Sequence, residues 1–267
     1  MGVLIVSSAS AAHHLKQNQK NLQGSLTRLS SGKRINGGAD DPGGLAVAMK
    51  LGASIKRLAG SENNVQNTLS FMEVQDGLLK TAGDIVTRIS ELKGLHSDDP
   101  LKSTANQTSY DTELTDLVAQ LNDIAAATFN GESLFGTTAI TLNYDEDATA
   151  DITIAGSDFA TAITDISSAS SFDEGAGGLA VATIDTALQN VANLRAQNGS
   201  AQNRLQFTAE GLSLQKNNMT AALDRIEGVN LAEETSNLAK HSILTQASAA
   251  MVAQANSQND IAMMLLS

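Results

Sequence analysis

Ile184, Val191, Asn198, Leu205, Leu212, Met219 and Ile226 follow one another at intervals of seven without a slip. The positions three residues further on are Ala187, Leu194, Ala201, Thr208, Gln215 and Ala222. At 3.6 residues per turn, such a repeat keeps one stripe of side chains on one side of a helix. It predicts a long helix packed along others, and packing in an ordinary core would explain it equally well.

Other segments carry the same signal. Leu15, Leu22, Leu26 and Leu29 stand seven, four and three apart, and Gly32 offers a stop. Asp40-Asp41-Pro42 follows; carboxylates accept the free amides of a helix start and proline suits its first position. Ile55, Leu58, Val65, Leu69 and Met72 make one run, and Leu78, Ala82, Ile85, Ile89 and Leu92 another, slightly out of phase. About 50 residues of helix would reach roughly 75 Å, too long for the interior of one small globule. A break is expected at Gly94–Pro100, then a helix near Tyr110–Thr128 closed by Asn130-Gly131. Ile140, Leu142 and Tyr144 alternate with polar residues, as do Ile152 and Ile154, which predicts a β-hairpin across Asp145–Asp151. Residues 156–178, rich in Ser, Asp, Ala and Gly, are expected to form a loop or a weak edge. In the last forty residues Leu238, Leu244, Ala247, Met251 and Ala255 form a stripe beside many Gln and Asn. That pattern fits a wet, uncharged lining and a disordered tail alike.

Composition narrows the function. Aromatic residues make up 3% of the chain, with none in residues 1–70 or after Phe207. The ends therefore lack bulky anchors and need partners, whereas the middle can fold by itself. Residues 1–60 carry a balance of +6 and residues 98–185 one of −15, and an acidic centre argues against nucleic-acid binding. No cysteine is present, so disulfides and thiolate metal sites are excluded. The start lacks the basic and long apolar regions of a signal peptide, and no stretch of roughly 18 apolar residues occurs. The expectation is a soluble chain outside the general secretory route.

No catalytic, cofactor or metal signature is found. His13 and His14 diverge on a helix, while His96 and His241 stand alone. Asp40-Asp41 and Asp98-Asp99 each precede a proline and are expected to cap helices. Asp145–Asp147 lacks the ligand spacing of a calcium loop and is expected to be a solvated turn.

Residues 26–49, LTRLSSGKRINGGADDPGGLAVAM, closely resemble the N-terminal signature of the bacterial flagellin family. Leu29, Ser30, Ser31, Gly32, Arg34, Ile35, Asn36, Asp40, Asp41, Gly44, Leu45 and Ala46 match it. Residues 194–205 and 225–256 are similar to the family's C-terminal region. The resemblance implies a mainly α fold: long antiparallel helices in a coiled-coil or bundle rod, with a small β-hairpin region. The N- and C-terminal helices would pair. It further implies an inner filament layer from residues 1–40 and 228–267. The next layer would come from 41–131 and 179–227, with 132–178 as its hairpin and loop. The large outer domains of longer relatives would be missing.

The implied function is self-assembly into the extracellular flagellar filament, with the hook–filament junction protein as the alternative. The seams used would be the leucines of the first helix, the heptad from Ile184, and Leu238, Leu244 and Met251 near the end. Implied partners are further copies, the export apparatus, a chaperone, and cap and junction proteins; no nucleic acid and no membrane span are expected. Arg88 and Leu92 match the family's contact for an innate immune receptor, whereas Thr87 and Ser90 depart from it.

Overall fold

The heptad from Ile184 lies in one helix of 47 residues in the computed structural model, which describes residues 2–98, 103–145, 151–173 and 178–266. In chain order the elements are α1 (Gly2–Ser31), α2 (Pro42–Asp98), α3 (Thr104–Ala125), β1 (Thr128–Phe129), β2 (Glu132–Ser133), β3 (Ile140–Asn143) and β4 (Asp151–Ile154). Then come α4 (Phe159–Ala162), α5 (Thr164–Ser167), α6 (Val181–Glu227) and α7 (Leu231–Leu266). The chain is mainly α, with two small antiparallel strand pairs. Two compact units are present: residues 56–216, and residues 1–55 with 217–267.

In the first of these units α2 and α6 present matching stripes. Leu58, Val65, Met72, Leu79 and Val86 recur every seven residues and are buried. Ile184, Val191, Asn198, Leu205 and Leu212 do the same on α6. The two expected runs of α2 are thus one continuous heptad carried through Leu79. Helix α6 runs antiparallel to α2: Arg195 makes two hydrogen bonds to Asp76, at 3.1 and 3.3 Å, and Lys216 pairs with Glu62.

Asn198 is the one polar side chain in the buried part of the α6 series, and it is fully engaged. Its amide donates to the Met72 carbonyl (3.1 Å) and to Gln75 Oε1 (2.6 Å) and accepts from Gln202 (2.5 Å). Gln75 in turn donates to the Leu134 carbonyl, which ties the strand region to α2. A buried amide satisfied at a single heptad position disfavours other registers, since any slide leaves it unpaired.

The expected hairpin forms, with Ile140 opposite Ile154 and Leu142 opposite Ile152, and with Ile152 and Ile154 turned inward. Elsewhere the expectations need correction. Asn130-Gly131 does not end a helix. Both residues have positive φ (52° and 87°) and form the two-residue turn between β1 and β2, a conformation that asparagine and glycine tolerate. Helix α2 does not break at Gly94 but continues to Asp98, because Lys93 and His96 on its last turns are buried. Asp98 therefore lies at the end of α2, not at the start of α3, and Asp99 lies outside the described residues. The cap of α3 is Ser103, whose side chain accepts from the Asn106 amide. The acidic turn from residue 146 to 150 also lies outside the described residues.

The largest correction concerns residues 156–178. Asp158 accepts from the Thr161 amide and starts α4, and α5 follows at once. The Thr161 side chain first and its backbone amide second stabilise the ionised carboxylate and lower its pKa. Phe159, Ile163, Ile166, Ala169 and Phe172 all enter the core. The Phe159 ring packs on Phe135 at 5.1 Å. Lys93 donates to the Phe172 carbonyl (2.7 Å), and Asp111 accepts from the Phe172 amide (2.9 Å). Residues 156–173 are a lid of the hydrophobic core, held by side chains of α2 and α3, and residues 174–177 lie outside the described residues. Phe159→Ala is expected to cost about 3–5 kcal/mol in urea denaturation, as for a large buried ring elsewhere. A change below about 0.5 kcal/mol would return this segment to a surface loop.

Candidate self-assembly surfaces and the turn between helices

Residues 1–55 and 217–267 bring the two signature motifs together. Helix α1 ends at Ser31, and Gly32 takes the left-handed conformation (φ 69°) that commonly terminates helices. Its carbonyl accepts from the Val229 amide (3.1 Å), and Lys33 bridges to Gly228 across an antiparallel contact. Arg34 is the clasp. Its amide donates to the Glu227 carbonyl (2.5 Å) and its guanidinium to the Ile226 carbonyl (2.9 Å). These are carbonyls at the end of α6 that no further turn of helix can satisfy, and a cation there opposes the helix dipole favourably. Lys33 adds an ion pair to Glu227 at 2.7 Å. Ile35 is buried beneath the turn.

The two aspartates divide the remaining work. Asp41 caps α2 as expected, accepting from the Gly44 amide at 2.9 Å. Asp40 does not cap: its carboxylate accepts from the amides of Asn36 and Gly37, both at 3.1 Å, and lies 3.7 Å from Arg28. Asn36 closes the loop by donating to the Lys33 carbonyl. Two glycines are fixed by close approach. A methyl group at Gly44 would strike the Asp41 carboxylate, and one at Gly228 would strike the Asp224 carbonyl.

Helices α1 and α7 pair antiparallel, as expected. Leu15, Leu22 and Leu29 of the α1 stripe lie on a covered or half-covered face with Ala11, Asn18 and Ser25, in alternating steps of four and three. Leu26 points away and is 50% exposed. On α7 the corresponding face carries Glu234, Leu238, His241, Thr245, Ser248, Val252 and Ala255. Leu244 and Met251 lie outside it; Met251 is 63% exposed and neighbouring Ile243 66%. The seam mixes leucines and small apolar residues with polar ones. Asn18 donates to Ser248 Oγ at 2.7 Å, while among the described residues Glu234 Oε1 and His241 Nδ1 are buried with no hydrogen-bond partner. Each such atom costs about 1–3 kcal/mol. The apolar side of α7, with Leu231, Ile243, Leu244, Met251 and Ile261, faces outward.

The remaining site residues fall as follows. Ile184, Val191, Leu205 and Leu212 are buried between helices of their own unit, and Met219 and Ile226 are half-buried. Arg88 is exposed on α2 and pairs with Glu113 (2.8 Å) and Glu91 (3.1 Å), which raise its pKa. Leu92, one turn on, is fully buried. Its side chain is core, so only Arg88 of that pair offers a side chain to a partner. Among the described residues no group of three His, Asp or Glu is placed to hold a metal, and no helix is long and apolar enough to cross a membrane.

Sequence reasoning missed Arg34 as a cap for α6 and the polar face of α7. The first joins residues 192 positions apart, which no local pattern reveals. The second was legible as the four-three spacing of Leu238, His241, Thr245 and Ser248, hidden by their polarity. Arg34→Ala is expected to lower stability by about 1 kcal/mol and to speed hydrogen exchange at Gly228 and Val229 by several-fold. Unchanged exchange at those amides would remove the clasp.

Comparison with known proteins agrees with this arrangement. A model of the bacterial flagellin N-terminal helical region matches residues 5–139, and one of the C-terminal helical region matches residues 181–266. The flagellar filament 30.7 kDa core protein of Treponema maltophilum is 32% identical over 280 residues, covering 98% of both chains. A flagellar filament core protein of Brachyspira hyodysenteriae is 32% identical over 281 residues with the same coverage. A flagellin of Halalkalibacterium halodurans is 31% identical over 258 residues, 95% of this chain and 93% of that one. The crystal structure of Bacillus cereus flagellin shares the fold at a TM-score of 0.50 and 24% identity. It covers 60% of this chain and 94% of its own. The family models lie on the two ends joined by the Arg34 clasp, and the relatives align across nearly the whole length: the chain belongs to the bacterial flagellin family.

Proposed function

We propose that this chain is the structural subunit of an extracellular flagellar filament, built by self-assembly and serving motility. The observation that carries the reading is α7: a helix of 36 residues that meets α1 through a mixed face while Leu231, Ile243, Leu244, Met251 and Ile261 face outward. Burying an apolar side chain contributes about 1.5–3 kcal/mol, so such a face gains most when another copy covers it. The role is structural, not enzymatic, in keeping with the family. The junction-protein alternative is not favoured, since relatives aligned over 98% of the chain are filament core proteins.

Within that filament, residues 1–40 and 228–267 form the inner layer. Residues 41–131 and 179–227 form the next layer, with residues 132–178 at its side. Leu15, Leu22 and Leu29 hold the inner pair, while Leu26, Leu244 and Met251 reach neighbouring subunits. The chain travels through the flagellar export apparatus with a chaperone and meets cap and junction proteins at the filament's ends. A host innate immune receptor would engage Arg88.

Met251→Asp separates folding from assembly. The side chain is exposed, so the monomer's stability should stay within about 0.5 kcal/mol, while filament growth followed by light scattering and electron microscopy should stop. Filaments of normal length from this variant would take Met251 out of the interface. Leu212→Asp should behave differently. It puts a charge into the buried α2–α6 seam and should lower monomer stability by several kcal/mol, on the order of other unpaired buried charges, before assembly is reached. Removal of residues 228–267 is expected to abolish filaments and leave thermal unfolding of residues 56–216 intact. A truncated chain that polymerises like the parent would overturn the inner-layer assignment.

A further inference from the structure

Residues 56–216 carry two surfaces that their own packing leaves unused. The first is a groove of about 580 Å³ between α2 and the strand segments, walled by Phe71, Met72, Phe129, Leu134, Ile140 and Ile154. Phe129 stands edge-on to Phe71 at 6.1 Å and remains 37% exposed, so its free side is open to another ring. Glu132 lies on the rim and makes no ion pair among the described residues. The second surface is on α6. Phe207 is 72% exposed, and Leu214, one heptad further, is 63% exposed. They project opposite to Leu205 and Leu212, which face the core. Arg204, one turn before Phe207 on the same side, likewise makes no ion pair among the described residues.

We infer that Phe207 of one subunit seats in the Phe71–Phe129 groove of the next, with Arg204 of the first subunit meeting Glu132 of the second. The inference rests on the filament reading and specifies one of its contacts. Three observations favour a second copy as the occupant. The knob is aromatic and the groove offers it Phe71 and Phe129 with aliphatic neighbours amid a polar rim, and the charges beside them, which make no ion pair among the described residues, are opposite in sign. Knob and groove are also different patches of one molecule. A contact between unlike patches repeats without closing on itself, which is the geometry an open helical polymer requires. The groove's volume holds a phenyl ring with room for Leu214 or Arg204 methylenes beside it.

The absence of cysteine from the natural chain makes the contact directly testable in the full-length protein. Phe207→Ala should raise the critical concentration for filament growth at least tenfold with the monomer's Tm unchanged. Arg204→Glu should impair growth, and adding Glu132→Arg to it should restore growth. Arg204→Cys and Glu132→Cys subunits, assembled as a mixture and oxidised, should give a disulfide-linked dimer that neither gives alone. Nile red should enter the groove in monomers and be excluded from it in filaments. If the parent polymerises while Phe207→Ala polymerises equally well, the mixture forms no dimer, or the dye still enters filaments, the contact is wrong and the filament reading stands. If the parent forms no filaments under any condition, both fall together.

Discussion

The fit of one heptad against another, α2 on α6, holds residues 56–216 in place. Aliphatic side chains recurring every seven residues make each helix bind along its length. The same regularity would allow the pair to slide by a turn, because Leu and Val do not distinguish neighbouring holes. Asn198 removes that freedom: only in the observed register do Met72 and Gln75 of α2 accept from its amide, while Gln202, one turn along α6, donates to its oxygen. Gln75 then passes the register on to Leu134 and so to the strands. Interactions of little net strength thus decide the alignment, and apolar burial supplies the stability.

The other unit is organised on the opposite principle. Its helices α1 and α7 meet through Leu15, Leu22, Leu29, Leu238 and Val252 interleaved with Asn, Ser, Thr, Glu and His, and among the described residues Glu234 Oε1 and His241 Nδ1 have no hydrogen-bond partner. A mixed seam of this kind gains less from its own contact than an apolar one would. Leu231, Ile243, Leu244, Met251 and Ile261 lie on the outside, where a monomer leaves them in water. That outward apolar face gives the termini a reason to associate with other copies. The Arg34 clasp supplies what the seam does not, a fixed crossing point at the ends of α1 and α6.

Much of this was legible in the sequence, for identifiable reasons. The heptad of α6, the cap at Asp41 and the alternation of the two hairpin strands depend on spacing within a few residues, and spacing survives in a sequence. Residues 156–178 were misjudged because small and polar residues outnumber the core ones. Yet Phe159, Ile163, Ile166 and Ala169 already stood at helical intervals. Lys93 and His96 extended α2 through an expected break because their partners lie on a segment some 79 positions away. For α7, the stripe of Leu244 and Met251 faces outward, while Leu238 and Ala255 of the same expected set lie toward α1 among polar residues.

The contact between Asn18 and Ser248 spans 230 positions of chain. Joining ends so far apart is entropically expensive in a random coil, although the cost grows only by about 0.6 kcal/mol for each doubling of the loop. Closure is expected to follow the folding of residues 56–216, because the Glu62–Lys216 pair then holds the starts of both free ends together. During that interval each end is as accessible to a growing polymer's tip as to its own opposite terminus. Closure and incorporation thereby become competing outcomes of a single kinetic step.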